Sequence, residues 1–405
     1  VNALLIVFAV MILFNCLSVP YVKLFEADKP YAYFHLTLRY IPQHYISSAY
    51  MWTLYGSIAL IAFAFVTGTF KRVGAWQDRP LAVPGEDRVR RWWWWTILLG
   101  VLAVAIMFVQ AGFTVPALTV AGKTFAERQQ LRLMFADRIN QTLFSLDLFF
   151  VVSMNLIMAV VVLKKKRWFY LCGSAALLIV TALFALSKSH MAASLTVVVM
   201  FVALAQRVRW ITLFRWGIVM LLCIIPWYYI QALSGGRSLT ENLVTRIVYG
   251  QWVGMPHYVM LYEHDRAPLT SLLPPYIQRF LPSVDDSPAR KLMIFIEPEG
   301  ALSGTMGNFP SFYIGEAFAA AGVLGAILAP FIVGAQLWLL VHAFALLPKN
   351  LITTQLFSWM LFRFIIGLIS GFSMFMVSSF TIALVAVVGV AMIWEAGRAR
   401  TAAYA

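Results

Sequence analysis

Long apolar blocks recur along this sequence, near 1–18, 47–70, 92–112, 142–163, 168–187, 190–206, 211–231, 317–341, 351–372 and 374–394. Each is long enough to carry a helix across a hydrocarbon core of about 30 Å. A segment in lipid must satisfy its own backbone polar groups, so such blocks leave little choice beyond a bundle of helices. Alternating strands of about ten residues, the mark of a membrane barrel, are not visible. Composition agrees: 61% of residues are hydrophobic and 12% charged, against roughly half and a quarter in soluble domains. The expected fold is all-α, a polytopic integral membrane protein with about ten or more transmembrane helices. The chain opens on Val1 rather than Met, which leaves room for a preceding stretch, and no cleavable signal pattern is visible.

Basic residues orient the bundle. Lys-Lys-Lys-Arg at 164–167, the segment 71–91, Arg207, Arg209, Arg398 and Arg400 fall on alternate turns between blocks. Lysine and arginine beside short loops mark the cytoplasmic side. Trp92 to Trp95 follow Arg90 and Arg91 and read as an interfacial aromatic belt. Ten spans then put both ends of this sequence in the cytoplasm and divide it into three parts. Residues 1–231 carry seven helices with short loops, 232–316 form a large outer loop, and 317–405 carry three helices and a cytoplasmic C-terminus.

Within the large loop, 240–255 reads as an amphipathic surface helix. Val244, Val248, Trp252, Met255 and Val259 form a stripe toward lipid, and Thr240 stands at its start. Eight prolines follow, from Pro256 to Pro310, so the remainder is expected to lack long regular helix. The three cysteines, Cys16, Cys172 and Cys223, each lie inside an apolar block, so neither disulfides nor a cysteine metal site is expected.

Several groups could carry chemistry on the outer side. The loop holds Arg237, Arg246, Arg266, Arg279, Arg290 and Lys291, and a guanidinium fork grips phosphate oxygens with two parallel hydrogen bonds. Contact with phospholipid headgroups, or with loop acids such as Asp285 and Asp286, is the plainer role. Lys188 and His190 lie in a tight Ser-Lys-Ser-His turn, suited to an anionic head or to simple snorkelling. Arg128 and Arg132 share a helix face at spacing four, where Glu127 and Asp137 are also available as ion-pair partners. Glu316 precedes a run of Ala and Gly that permits close helix contact. Its carboxylate is placed either to cap a helix or to take a proton from a sugar hydroxyl. His257 is the second candidate for acid–base work, and Tyr313 lies just ahead of Glu316. Arg363 and Asp147 fall within apolar blocks and should face the bundle interior. No His-Glu-x-x-His, Walker loop, Asp-rich metal motif or dinucleotide fingerprint is present, so no cofactor, metal or nucleic acid is expected.

The run Pro310, Gly315-Glu316-Ala317-Phe318, Gly322-Val323-Leu324-Gly325 resembles the late membrane motif of bacterial oligosaccharide-repeat-unit polymerases, the O-antigen (Wzy-type) polymerases. The turn at 187–190 is similar to the family's Ser-Arg turn, with lysine in place of arginine. The resemblance implies a GT-C-like glycosyltransferase of the bacterial inner membrane, its active site facing the periplasm. Such an enzyme transfers a growing glycan from undecaprenyl diphosphate onto a lipid-linked repeat unit, without metal. It further implies undecaprenyl-diphosphate-linked oligosaccharides, membrane lipids and a chain-length-regulating membrane protein as partners. Glu316 and His257 are then the catalytic candidates. Arg246, Arg237, Arg290, Lys188, His190, Arg128, Arg132 and Tyr313 are the candidate diphosphate or substrate contacts. O-antigen ligases share the layout, and a flippase of lipid-linked sugars is the alternative from another class.

Overall fold

A computed structural model of the chain describes residues 2–16, 41–119, 147–163, 166–185, 188–206, 254–273, 287–296, 312–376 and 378–403, with isolated positions between them. Most of the apolar block 211–231, most of the expected surface helix 240–255, and Arg128, Arg132, Arg237 and Arg246 lie outside the described residues. In chain order the main helices are α1 (Ala3–Asn15), α2 (Gln43–Val66), α3 (Thr69–Asp78) and α4 (Glu86–Gln110). Next comes α5 (Ser153–Ile157), flanked by π-helical Asp147–Val152 and Met158–Val162. Then follow α6 (Arg167–Ala185), α7 (Lys188–Ala205), α8 (Gly254–Tyr262) and α9 (Pro288–Ile296). The last are α10 (Tyr313–Leu346), α11 (Leu351–Ser370) and α12 (Ser379–Ala403).

Among the described residues no strand occurs, only a bridge between Ala82 and Asn350. Among the described residues six helical stretches are long and apolar enough to cross a membrane: Gln43–Val66, Glu86–Gln110, Arg167–Phe184, Tyr313–Leu346, Leu351–Ser370 and Phe372–Gly397. Ala3–Leu13, Phe150–Val162 and Met191–Ala205 are shorter apolar helices. The chain is an all-helical, multi-pass membrane protein. Its contacts separate into two units.

One unit comprises 77–239 and 349–362. Its core packs Trp93, Met154, Ile157, Leu163, Tyr170, Leu177, Phe201 and Leu351. Small residues set the spacing, because a Cβ on Gly100 would stand 2.7 Å from Leu177 and one on Gly173 2.9 Å from Trp93. Polar groups inside this core satisfy one another, as they must away from water. Trp93 Nε1 donates to Ser174 Oγ (3.0 Å), and the Ser174 hydroxyl donates to Asn155 Oδ1. Asn155 Nδ2 in turn donates to Thr96 Oγ1 (2.8 Å) and the Trp93 carbonyl (3.2 Å). Of the tryptophan run only Trp93 is buried, while Trp94 and Trp95 are exposed.

Lys349 is the clamp of this unit. Its ammonium donates to the carbonyls of Gln77 (2.9 Å), Arg79 (2.8 Å) and Ala205 (3.0 Å), matching three donors to three acceptors. Burial pushes the ammonium down to about 8, with the Asp78 charge opposing and Arg79 adding to the effect. Lys349→Met leaves three carbonyls without their donor, at a cost of about 1–3 kcal/mol for each one left dry. A clear fall in detergent melting temperature is the expected result. The unfolded chain keeps this proton to about 10.5, so between about pH 8 and that value it binds more protons than the folded chain. Stability therefore gains a rising contribution across that window, and the melting-temperature profile of Lys349→Met should lack it.

The other unit comprises 2–76, 240–348 and 363–405. Asn2 caps α1 by accepting from the Leu4 amide (3.0 Å). The block expected to run to residue 70 ends at Val66, because Gly68 adopts φ 68° and turns the chain into α3. Among the described residues of the proline-rich region the helices are short, α8 and α9 of nine residues each. The stripe expected to face lipid does not do so at its described end. Met255 and Val259 are buried, since α8 packs against α2 and α10.

Candidate functional site

The site is built on a break in α10. Gly322 has φ 62° and ψ −144°, outside the helical region. The turn is sharp enough that a Cβ on Gly325 would lie 2.1 Å from the Ala317 carbonyl oxygen. Neighbours along α2 show the chain doubling back. Tyr313 reaches Gly56 and Phe318 lies against Trp52, after which Tyr55 meets Ile327 and Phe63 meets Phe331. Tyr313 to Ala321 is therefore a half-helix running opposite to the rest of α10. The expectation that the Gly-x-x-Gly pair serves close helix contact is thereby refined. Gly322 supplies the positive φ, and Gly325 makes room for the returning carbonyl.

A broken helix frees backbone acceptors that lipid cannot satisfy. Here Arg266 Nη1 donates to the Phe318 carbonyl (3.4 Å) and the Ala267 amide to that of Ala319 (2.9 Å). The Arg266 guanidinium also lies over the Phe318 ring, 5.5 Å from its centroid, and fills the space a Gly322 side chain would take. At the other end of the half-helix Tyr313 is fully buried and its hydroxyl donates to the Gly56 carbonyl (2.9 Å). Tyr313, a candidate substrate contact, is thus engaged in holding the half-helix to α2.

Glu316 sits in the first turn of this half-helix, only 4% exposed. Its carboxylate accepts from the Ser373 amide (2.7 Å), with the Ser373 hydroxyl and the Phe372 amide also bonded to it. These groups belong to the turn Phe372–Phe375 between α11 and α12. Gly371 lets the carboxylate approach, since a Cβ there would stand 2.4 Å from Glu316 Cδ. The turn is held by Phe375, which packs on Tyr313, Phe364 and Phe380 and accepts from Gln336 (2.6 Å). Among the described residues no ion pair to Glu316 occurs, and its bonded amide comes from a distant turn rather than from its own helix.

Tyr262 on α8 is the residue the sequence reading passed over. Its hydroxyl donates to the Pro288 carbonyl at the head of α9 (3.4 Å). Burial, then the nearby Glu316 charge, pushes this phenol up to about 12. A phenol so held stays protonated at neutral pH and serves as a donor rather than a base. His257, on the same helix, is 2% exposed. Arg290 is exposed on α9, its amide donating to Ser287, which caps that helix. The described structure thus gathers Glu316, His257, Tyr262 and Tyr313 in one unit, with Arg290 on α9 beside Tyr262. Lys188 and His190 begin α7 in the other unit, and Arg363 is half-buried on α11. Among the described residues no group of three or more His, Cys, Asp or Glu is arranged to hold a metal ion.

No protein-family model matches the chain, and neither a curated protein nor a solved structure matches it.

Proposed function

We propose that this protein is a polysaccharide polymerase of the bacterial inner membrane. It transfers an undecaprenyl-diphosphate-linked glycan onto a lipid-linked repeat unit at the periplasmic face. The observation that carries the reading is the buried carboxylate of Glu316, held on a half-helix that doubles back within the bundle. In the proposed reaction the acceptor sugar hydroxyl attacks the anomeric carbon of the growing glycan. The bond from that carbon to the diphosphate breaks, and undecaprenyl diphosphate leaves with the electron pair. Glu316 takes the hydroxyl proton. Tyr262, kept protonated, exchanges its long bond to the Pro288 carbonyl for one to a sugar or phosphate oxygen. Loop arginines, Arg290 among them and Arg246 and Arg237 by sequence, neutralise the leaving diphosphate. A carboxylate base and guanidinium groups suffice for this chemistry without a metal.

The broken helix also favours a second reading, since discontinuous helices carry substrate sites in many transporters. A flippase of lipid-linked oligosaccharide would use the same half-helix as a moving element. Surface glycans separate the two. Glu316→Gln keeps the shape of the side chain but removes its basicity, a loss of about 10²–10⁴ in rate for an acid–base residue. Cells carrying it at normal protein level should display single repeat units and no polymer. Wild-type chain length would remove Glu316 from the chemistry, and loss of all surface repeats would favour the flippase. A ligase would likewise leave no repeats on the surface.

A further inference from the structure

A second cation is built into the same unit, far from Glu316. After the turn at Gly68, α3 is pinned by Asn2 Nδ2 donating to the Phe70 carbonyl (2.7 Å), by Phe8 on Phe70 (5.4 Å) and by Trp76 on Phe344 (6.4 Å). Pinning α3 places the Arg72 guanidinium over the Trp338 ring, 5.3 Å from its centroid. Trp338 in turn stacks on His342, with ring centroids 5.3 Å apart and planes 5° from parallel. The result is a three-layer stack of guanidinium, indole and imidazole. Arg72 Nη1 is buried and donates to no group among the described residues, and Arg72 forms no ion pair among them. A buried charged donor left unmet is costly and calls for an acceptor.

We propose that the stack of Arg72, Trp338 and His342 binds the phosphate of an anionic phospholipid headgroup. Position argues for a lipid rather than a soluble anion. From the break at Gly322 to Trp338 the helix runs roughly 24 Å, which puts the stack near the membrane surface opposite Glu316. Trp338 is the residue type that sits at such a surface, with its ring at headgroup level. The chemistry fits too. A phosphodiester offers two oxygens to the guanidinium fork, while the cation keeps its contact with the indole face. Exposed Lys71, the neighbour on α3, adds attraction for the negative headgroup. The aromatic residues Trp76 and Phe344, both buried beneath α3, keep the floor of the site rigid.

The site stands apart from the proposed glycosyl transfer, and its test needs no glycan. Delipidated protein in neutral detergent is titrated with phosphatidylglycerol, phosphatidylcholine and inorganic phosphate, and bound lipid is counted by native mass spectrometry. Phosphatidylglycerol should bind more tightly than phosphatidylcholine, and equimolar inorganic phosphate should not displace it. Arg72→Gln should weaken the tightest phosphatidylglycerol by about tenfold or more, the worth of one charge-assisted bond, and Arg72→Lys should weaken it less. Trp338→Leu keeps the charge but removes its platform, and should weaken binding even if Arg72→Gln fails to fold. Equal phosphatidylglycerol affinity in wild type and the variants would overturn the proposal. Displacement by equimolar inorganic phosphate would overturn it as well, by assigning the site to a soluble anion.

Discussion

Gly322→Ala should lower the melting temperature sharply. The residue occupies φ 62°, which costs an L-residue with a side chain about 1–3 kcal/mol. Its added Cβ would also stand 1.7 Å from Arg266 Nη1 and 2.2 Å from Arg266 Cζ, so the guanidinium must leave the break. That exposes the Phe318 carbonyl and removes the cover over its ring, two further losses inside an apolar bundle. Arg266→Ala alone keeps the dihedral relaxed and should cost only about 1–2 kcal/mol. Melting temperatures of the two single variants and the double variant form a cycle. Gly322→Ala/Arg266→Ala should recover the steric part of the loss but not the dihedral part. Simple additivity of the two singles would mean that Arg266 does not occupy the break.

Gly371→Ala should cost activity as well as stability, because Gly371 sits at φ 158°, which a residue with a side chain rarely adopts. A Cβ at this position would also lie 2.4 Å from Glu316 Cδ, so the carboxylate has to move. Displacing a catalytic group by about 1 Å is worth on the order of a hundredfold in rate. Chain extension per folded molecule should therefore drop by about that factor, beyond what the loss of folded protein explains. Gly389→Ala is the matched control, because nothing lies within 4 Å of its Cβ, and its activity should equal that of the wild type. Full activity in Gly371→Ala would show that the position of Glu316 is immaterial to the reaction.

The helical membrane class was legible because lipid imposes one rule on every apolar block, and that rule is read by length alone. Glu316 was legible as a candidate, a carboxylate beside small residues, but its setting was not. Its nearest partners, Ser373 and Gly371, lie more than fifty residues later, in a turn that carries no charge to attract notice. The reversal at Gly322 was hidden for a related reason. Gly-x-x-Gly in an apolar run suits a packed helix pair as well as a break, and the deciding contact comes from Arg266 in a distant loop. Tyr262 was passed over because tyrosine on a short apolar helix reads as packing, and only its place near Glu316 gives it a role. Lys349 reads in sequence as an ordinary basic residue between apolar blocks, whereas its three carbonyl partners come from two separate segments of chain.

The most direct test of the central proposal is chain extension by purified protein in liposomes. The substrates are undecaprenyl-diphosphate-linked repeat units, supplied in the presence of strong chelator. A ladder of lengthening glycans is expected, with one undecaprenyl diphosphate released for each unit added. The ladder should shrink to the starting unit in Glu316→Gln. Substrate moved across the bilayer without lengthening, or a ladder unchanged in Glu316→Gln, would contradict the account.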